Sequence, residues 1–428
     1  MKAIRSFFDK YREEFQARDD TQNGPSNPPA QTDGAYDAPA AAPQGDPQQQ
    51  VLAAAAPGTL QIRLQNKTNS NTVYAYVTGL ALERNNTPAF VQSDGQTIYY
   101  PTAPTTILQP LQADVAIPLG APGNVVNVRI PKIAGGRIWF SIGAKLTFKL
   151  NPGPAVVEPS VTNPSDENYN INWGFVEFTY DDTQLFANIS YVDFVSVPLA
   201  LTLTSTMGDT QSVPGMVPNG LSQIATALRA QAKADGRPWD QLVHSVNGQP
   251  LRVISPNNLL VWNPNAWSNY WDGYVQAVWN KYSDTDIIIN TQAAAGNLRG
   301  RVRNNVIDMG VAGTFEKPSA RDIFTCNTGP FATGANRTRN TVIPRLSAAF
   351  NRSTLLNAGV QFPNSATVKD YYQDPTTNHY ARIVHAAQKD GRGYAFPYDD
   401  VVPDGGQDVA GTVFMGNPQL FTVAVGGQ

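Results

Sequence analysis

Carboxylates crowd one stretch of the 428-residue chain: Glu158, Asp166, Glu167, Glu177, Asp181, Asp182 and Asp193 fall within 36 residues. Most of them read as turn residues. Asp166, Glu167, Asp181 and Asp182 sit in polar segments, where an Asp side chain bonds its own local backbone. Glu177 and Asp193 differ, because each is embedded in strand-forming apolar sequence, Phe-Val-Glu-Phe-Thr and Tyr-Val-Asp-Phe-Val. A carboxyl group in that setting costs solvation unless it has a partner or a chemical task. Two carboxyls lining one cleft can hydrolyse a glycosidic bond, one giving a proton to the leaving oxygen and the other activating water or attacking carbon. Trp173, Phe186 and Tyr191 lie nearby in sequence and can stack on sugar rings. The competing reading is that each acid is the solvent-facing half of an alternating strand.

Strand geometry sets a condition on this pair. A tight turn over Asp181–Gln184 puts Glu177 opposite Asn188 and Asp193 opposite Asn172. At ~3.3 Å per residue the two acids are then roughly 16 Å apart and on opposite faces of the sheet. An inverting pair needs about 6.5–9.5 Å. A shared site therefore requires a longer turn, a bulge or a change of register.

Other chemistries lack their residues. The histidines are His244, His379 and His385, with no HExxH or other spacing suited to a catalytic metal, and neither a G-x-S-x-G elbow nor a phosphate-binding Gly-rich loop occurs. The one cysteine, Cys326, can form no intrachain disulfide and reads as a small buried residue on a strand. No metal or cofactor is expected.

The elements that must hold the acids follow from composition and pattern. With 34 Gly, 33 Pro and 42 aromatic residues, the chain reads as a turn-rich, mostly β protein. Its net charge of -3 provides no field for nucleic acid or an anionic membrane. No apolar run approaches the ~18 residues of a membrane span. The charged N-terminus does not resemble a secretory signal. Ile4, Phe7, Phe8, Tyr11 and Phe15 predict a short amphipathic helix, followed by a disordered tether, 27 of whose 38 residues from Thr21 to Gly58 are Ala, Pro, Gln or Gly.

Alternating strands are predicted from Leu60 onwards, at Val73–Val77, Thr97–Tyr100, Val125–Ile130, Arg137–Ile142, Lys145–Leu150, Trp173–Tyr180, Leu185–Val195 and Leu199–Thr204. Helical spacing then appears over Leu221–Ala232 and Ser268–Tyr282, and once more near Ile343–Leu356, before a last strand pair at Gly411–Met415 and Leu420–Val425. The expected organisation is an extension over 1–58, the first part of a β-sandwich or barrel over 59–205, an inserted α+β lobe over 206–319, and completion of the sandwich over 320–428.

Several segments resemble glycoside hydrolase family 64, the β-1,3-glucanases that include laminaripentaose-producing enzymes. They are Pro159–Tyr180, Leu185–Ser196, Arg252-Val-Ile-Ser-Pro-Asn, Asp322-Ile-Phe-Thr-Cys-Asn-Thr-Gly-Pro-Phe-Ala, Ala348–Leu356, Thr377–His385 and Gly393–Val401. The similarity covers roughly residues 59–428. It implies a thaumatin-like antiparallel β-sandwich with an inserted α/β lobe forming a wide groove, and an inverting, endo-acting β-1,3-glucanase. The family's general acid falls on Glu177 and its general base on Asp193, while Thr179 matches a groove-lining position. Asp181 stands where an amide is usual and Phe186 where Trp is usual, both at substrate-binding positions. Asp399-Asp400 matches an acidic pair whose role is structural or in substrate binding. The implied partner is a β-1,3-glucan polysaccharide, with no nucleic acid and the protein acting as a monomer. Relatives are secreted, so the absence of a visible signal here implies unconventional export or an intracellular site. The alternative is a thaumatin-like protein that binds β-glucan, or another partner, without cleaving it.

Overall fold

The computed structural model describes residues 58–427. The expected N-terminal helix and all but the last residue of the tether lie outside that range. The chain is mainly β, with its strands in several sheets. Two of them face each other. One has five strands in the order Thr210–Val213, Leu199–Ser205, Pro418–Val425, Leu60–Asn66 and Val125–Ile130; its first and last strands in sequence, Leu60–Asn66 and Pro418–Val425, run parallel side by side. The larger sheet runs Thr412–Met415, Leu185–Asn188, Asn172–Tyr180, Ile133–Ile142, Val73–Ala81, Thr87–Val91 and Ile98–Tyr99, with Ile117–Pro118 paired to Val73–Ala81.

Alternation decides what lies between them. Ile62, Leu64, Leu201, Leu203, Phe421 and Val423 of the first sheet are buried, as are Val176, Phe178, Ile138 and Val77 of the second. The rings of Phe178 and Phe421 meet across the interior with centroids 6.5 Å apart. Phe178 also lies over Gly136, its cross-strand neighbour, where an added Cβ would meet the ring at 2.5 Å. One extra residue in Ile133–Ile142 shifts the register against both neighbouring strands, beside Gly135 with its φ of 56°. Such bulges sharpen the local twist and re-aim side chains.

Three expectations are corrected. Lys145–Leu150 forms a strand only at Lys149–Asn151, because upstream amides find other partners: Leu146 N donates to Tyr76 Oη at 2.7 Å and Thr147 N to Asn168 Oδ1 at 2.7 Å. Cys326 is not on a strand; it ends the helix Ala320–Thr325 in the left-handed region and is buried, its thiol donating to the carbonyls of Ile323 and Pro397. The third concerns the last third of the chain. Between 320 and 411 it contributes the helices Ala320–Thr325, Arg337–Asn351 and His379–Ala386, whereas the pattern predicted one helix beginning near Ile343. Its one short ladder strand, Gln361–Phe362, joins the sheet of Ile287–Asn290. The sandwich is completed by Thr412–Met415 and Pro418–Val425 alone.

The helices Gly220–Asp235 and Asp272–Asp284 form as the periodicity predicts, with Ile224, Leu228, Tyr274, Val278 and Trp279 buried. Among the described residues no helix is long and apolar enough to cross a membrane.

Candidate active site

The outer face of the larger sheet carries the groups of interest. Along Asn172–Tyr180 this face presents Trp173, Phe175, Glu177 and Thr179, while Val176 and Phe178 turn into the sandwich. The apolar neighbours of Glu177 in sequence therefore do not enclose its carboxyl. Its surroundings come from other strands. The residues directly opposed across five strands are Thr78, Arg137, Glu177, Asn188 and Thr412, a polar row through the middle of the sheet. Two residues further along, Thr179 opposes Phe186, which opposes Phe414. The two Phe rings are near parallel, 19° between planes with centroids 6.5 Å apart. Phe186 is buried, while Phe414 on the edge strand is exposed.

Arg137 was not singled out by sequence reasoning, because a lone Arg in an alternating strand reads as solvent-facing. It is buried. Its Nη2 lies 3.4 Å from Glu177 Oε1, its Nη1 donates to Glu158 Oε2, and its guanidinium sits over the rings of Phe175 and Trp139, 4.7 and 5.4 Å from their centroids. Glu158, read from sequence as a loop acid, follows the short strand Ala155–Val157. The signal that could have found the pair is parity: Arg137 shares a face with Trp139 and Ser141, and a cation among aromatics demands a counter-ion.

The turn over Asp181–Gln184 is the tight one, the case that set a condition on the pair, and Glu177 opposes Asn188. Asp181 Oδ1 accepts from Thr183 N, Thr183 Oγ1 and Gln184 N at 2.7–2.9 Å, so this oxygen builds the turn. The ladder does not run on to Asp193. It stops at Asn188, the chain bends at Val192 and Asp193, and Phe194–Val195 pairs with Val253–Ile254 in a different sheet. Ser196, not Asp193, reaches Asn172, donating to its Oδ1 at 2.9 Å.

This departure brings the segment over the outer face: the Phe194 ring packs on Trp173 and Phe175, with centroids 4.8 and 5.7 Å away. Asp193 immediately precedes it. The bend is pinned on both sides. Tyr380 Oη donates to Tyr191 O at 2.6 Å, and Tyr191 N donates to Tyr394 O at 2.7 Å. Asp193 O accepts from Ser255 N at 2.8 Å and Asn258 Nδ2 at 2.9 Å, at the start of the helix Pro256–Trp262. Burial, with the Asp193 charge adding to it, holds the Tyr380 phenol well above its ordinary range.

Of the acidic pair near the C-terminus, Asp399 is fully buried and bonds Arg352 Nη2 and His385 Nε2, each at 2.8 Å, and Ala395 N at 3.0 Å. Its role is structural. Asp400 accepts from Tyr394 Oη at 2.8 Å.

The family model described as β-1,3-glucanase, glycoside hydrolase family 64, matches residues 58–425. A glucan endo-1,3-β-glucosidase of Cellulosimicrobium cellulans is 30% identical over 358 residues, which are 82% of this chain and 62% of that protein. The chain thus spans less than two thirds of the length of such curated relatives. Among solved structures, a laminaripentaose-producing β-1,3-glucanase in complex with laminaritetraose superposes with a TM-score of 0.77 at 30% identity, covering 86% of this chain and 99% of that one. A β-1,3-glucanase domain from Clostridium beijerinckii, 21% identical with a TM-score of 0.66 over 86% of this chain and 98% of its own, shares the fold. The chain belongs to glycoside hydrolase family 64.

Proposed function

We propose that this protein is an endo-acting β-1,3-glucanase that cleaves linear glucan by a single displacement with inversion, releasing short laminari-oligosaccharides. Glu177 is the general acid and Asp193 the general base. The observation that carries the reading is the exit of the chain from the ladder after Asn188. It removes the 172–193 pairing that would have kept the two acids on opposite faces, and sets Phe194 on the face that bears Glu177.

In this mechanism Glu177 gives its proton to the glycosidic oxygen as the bond from that oxygen to C1 breaks. Water attacks C1 from the other side, and Asp193 takes the proton it releases. The two-sheet body corresponds to a thaumatin-like sandwich, and the helical chain between its strands forms the second wall of the substrate groove. Thr179, Asp181 and Phe186 line that groove. Membership of family 64 and the fold match to a glucanase crystallised with laminaritetraose support this substrate class.

The direct test is incubation with linear β-1,3-glucan while product anomers are followed by proton NMR. The first-formed reducing ends are expected to be α; initial β products would contradict the assigned roles.

The Thr179–Phe186–Phe414 row extends the site towards the sheet edge, where Phe414 offers an exposed ring to a glucosyl unit. Covering part of one aromatic side chain contributes about 1 kcal/mol, or roughly fivefold in affinity. Phe414→Ala is therefore expected to raise KM for laminari-oligosaccharides by about that factor with kcat and Tm nearly unchanged. An unchanged KM would remove Phe414 from the binding surface.

A further inference from the structure

We propose that Arg137 is a positioning residue for Glu177, held by Glu158 and two aromatic rings so that it fixes which carboxyl oxygen of the acid carries the proton. The proposal rests on the reading of Glu177 as general acid.

A guanidinium has N–H donors only, so it can face only an oxygen that bears no proton. Arg137 Nη2 faces Glu177 Oε1 at 3.4 Å. In the protonated acid, Oε1 is then the carbonyl oxygen, and the proton resides on Oε2, which has no hydrogen-bond partner among the described residues. The contact is long, which suits a group that must orient the acid without capturing it as a tight ion pair.

Three features keep the guanidinium there. The two residues are directly opposed on adjacent strands, so their Cβ atoms are neighbours. The planar group lies over Phe175 and Trp139. Its other terminal nitrogen is taken by Glu158, whose charge compensates that of the arginine. An uncompensated cation beside a proton donor would oppose its function, and Glu158 supplies the balance. Lysine would substitute only in part, because it keeps the charge but one ammonium cannot bridge two carboxylates in a fixed plane.

The experiment compares two substrates. Linear β-1,3-glucan has a poor leaving group and needs the acid; a dinitrophenyl glycoside of a laminari-oligosaccharide leaves without protonation. For Arg137→Met, kcat on glucan is expected to fall by about 10–100-fold, the scale of a misoriented catalytic group. KM is expected to change little, and turnover of the dinitrophenyl substrate to be nearly retained, which also reports an intact fold. Arg137→Lys should fall between Met and wild type. Glu158→Gln, which keeps side-chain shape, should show the same selective loss in milder form.

An equal but partial loss on both substrates, or none on either, for Arg137→Met overturns the proposal. If that variant is silent on both, Glu158→Gln decides, and a wild-type ratio of the two activities overturns it. Glu177→Gln separates the two levels of the argument. If it still cleaves glucan, the assignment of the acid fails. If it is inactive on glucan while Arg137→Met behaves as wild type, only the role of Arg137 fails.

Discussion

Glu177→Gln is expected to bind glucan and leave it uncut. The amide has nearly the same shape, and its carbonyl oxygen can still face Arg137 Nη2, so the polar row across the sheet survives. It has no acidic proton to give, and kcat on linear β-1,3-glucan should drop by about 10²–10⁴-fold, the contribution of a positioned proton donor. Co-sedimentation with insoluble glucan should persist, as should turnover of a dinitrophenyl laminari-oligosaccharide. A variant that releases oligosaccharides at the wild-type rate would end the assignment of Glu177 as the acid, whereas a wild-type protein that sediments with glucan and releases none would leave the glucan-binding alternative. This comparison discriminates between the two classes because both share the fold and only one needs the acid.

The second large effect concerns stability. Asp399→Asn removes the carboxylate shared by Arg352 and His385 in a site where Asp399 has no exposure at all. Breaking a buried pair on one side leaves an uncompensated charge and costs about 3–5 kcal/mol. The carbonyls of Asp399 and Val401, which also accept from Arg352, place the effect towards the lower end. Denaturant unfolding should report the loss directly, and glucan affinity measured below the transition should be unchanged. A variant of wild-type stability with weakened binding would reassign Asp399 to the substrate.

The same cluster predicts a pH dependence with a definite sign. Burial alone would raise the Asp399 carboxyl, but His385 and Arg352 outweigh it and hold the group below its ordinary range. Burial alone would depress the His385 imidazole, but Asp399 outweighs it and raises the group. The aspartate contribution is therefore present above about pH 4 and lost as pH falls through its lowered folded value. The histidine contribution is present below about pH 6.5 and lost as pH rises through its raised folded value. Both act together between these limits. In His385→Gln the decline on the alkaline side should flatten, which stability curves at several pH values would show.

The strand pattern made the larger sheet readable, but it left the register of its hairpin open: the sequence allowed a tight turn, a longer one or a bulge, and Asp181 building the tight turn sets Glu177 opposite Asn188. The path to Asp193 was not readable. Leu185 through Val195 is almost continuously strand-forming, so nothing local marks the point where the chain leaves one sheet for another. Its new partners, Val253 and Ile254, lie some sixty residues downstream. Arg137 escaped for a related reason: only the assembled strands reveal that an arginine in alternating sequence faces two carboxylates. Turn acids, by contrast, depend on near neighbours, and Asp181 took up its turn role as composition suggests.

The parallel pairing of Leu60–Asn66 with Pro418–Val425 has a consequence for biosynthesis. The central pair of the smaller sheet joins segments separated by more than 350 residues, so its ladder cannot close until the final strand has emerged from the ribosome. Until then the nascent chain displays Leu60, Ile62 and Leu64 beside an open edge, a surface for chaperones to shield and a reason to expect that truncations removing Pro418–Val425 accumulate as aggregates.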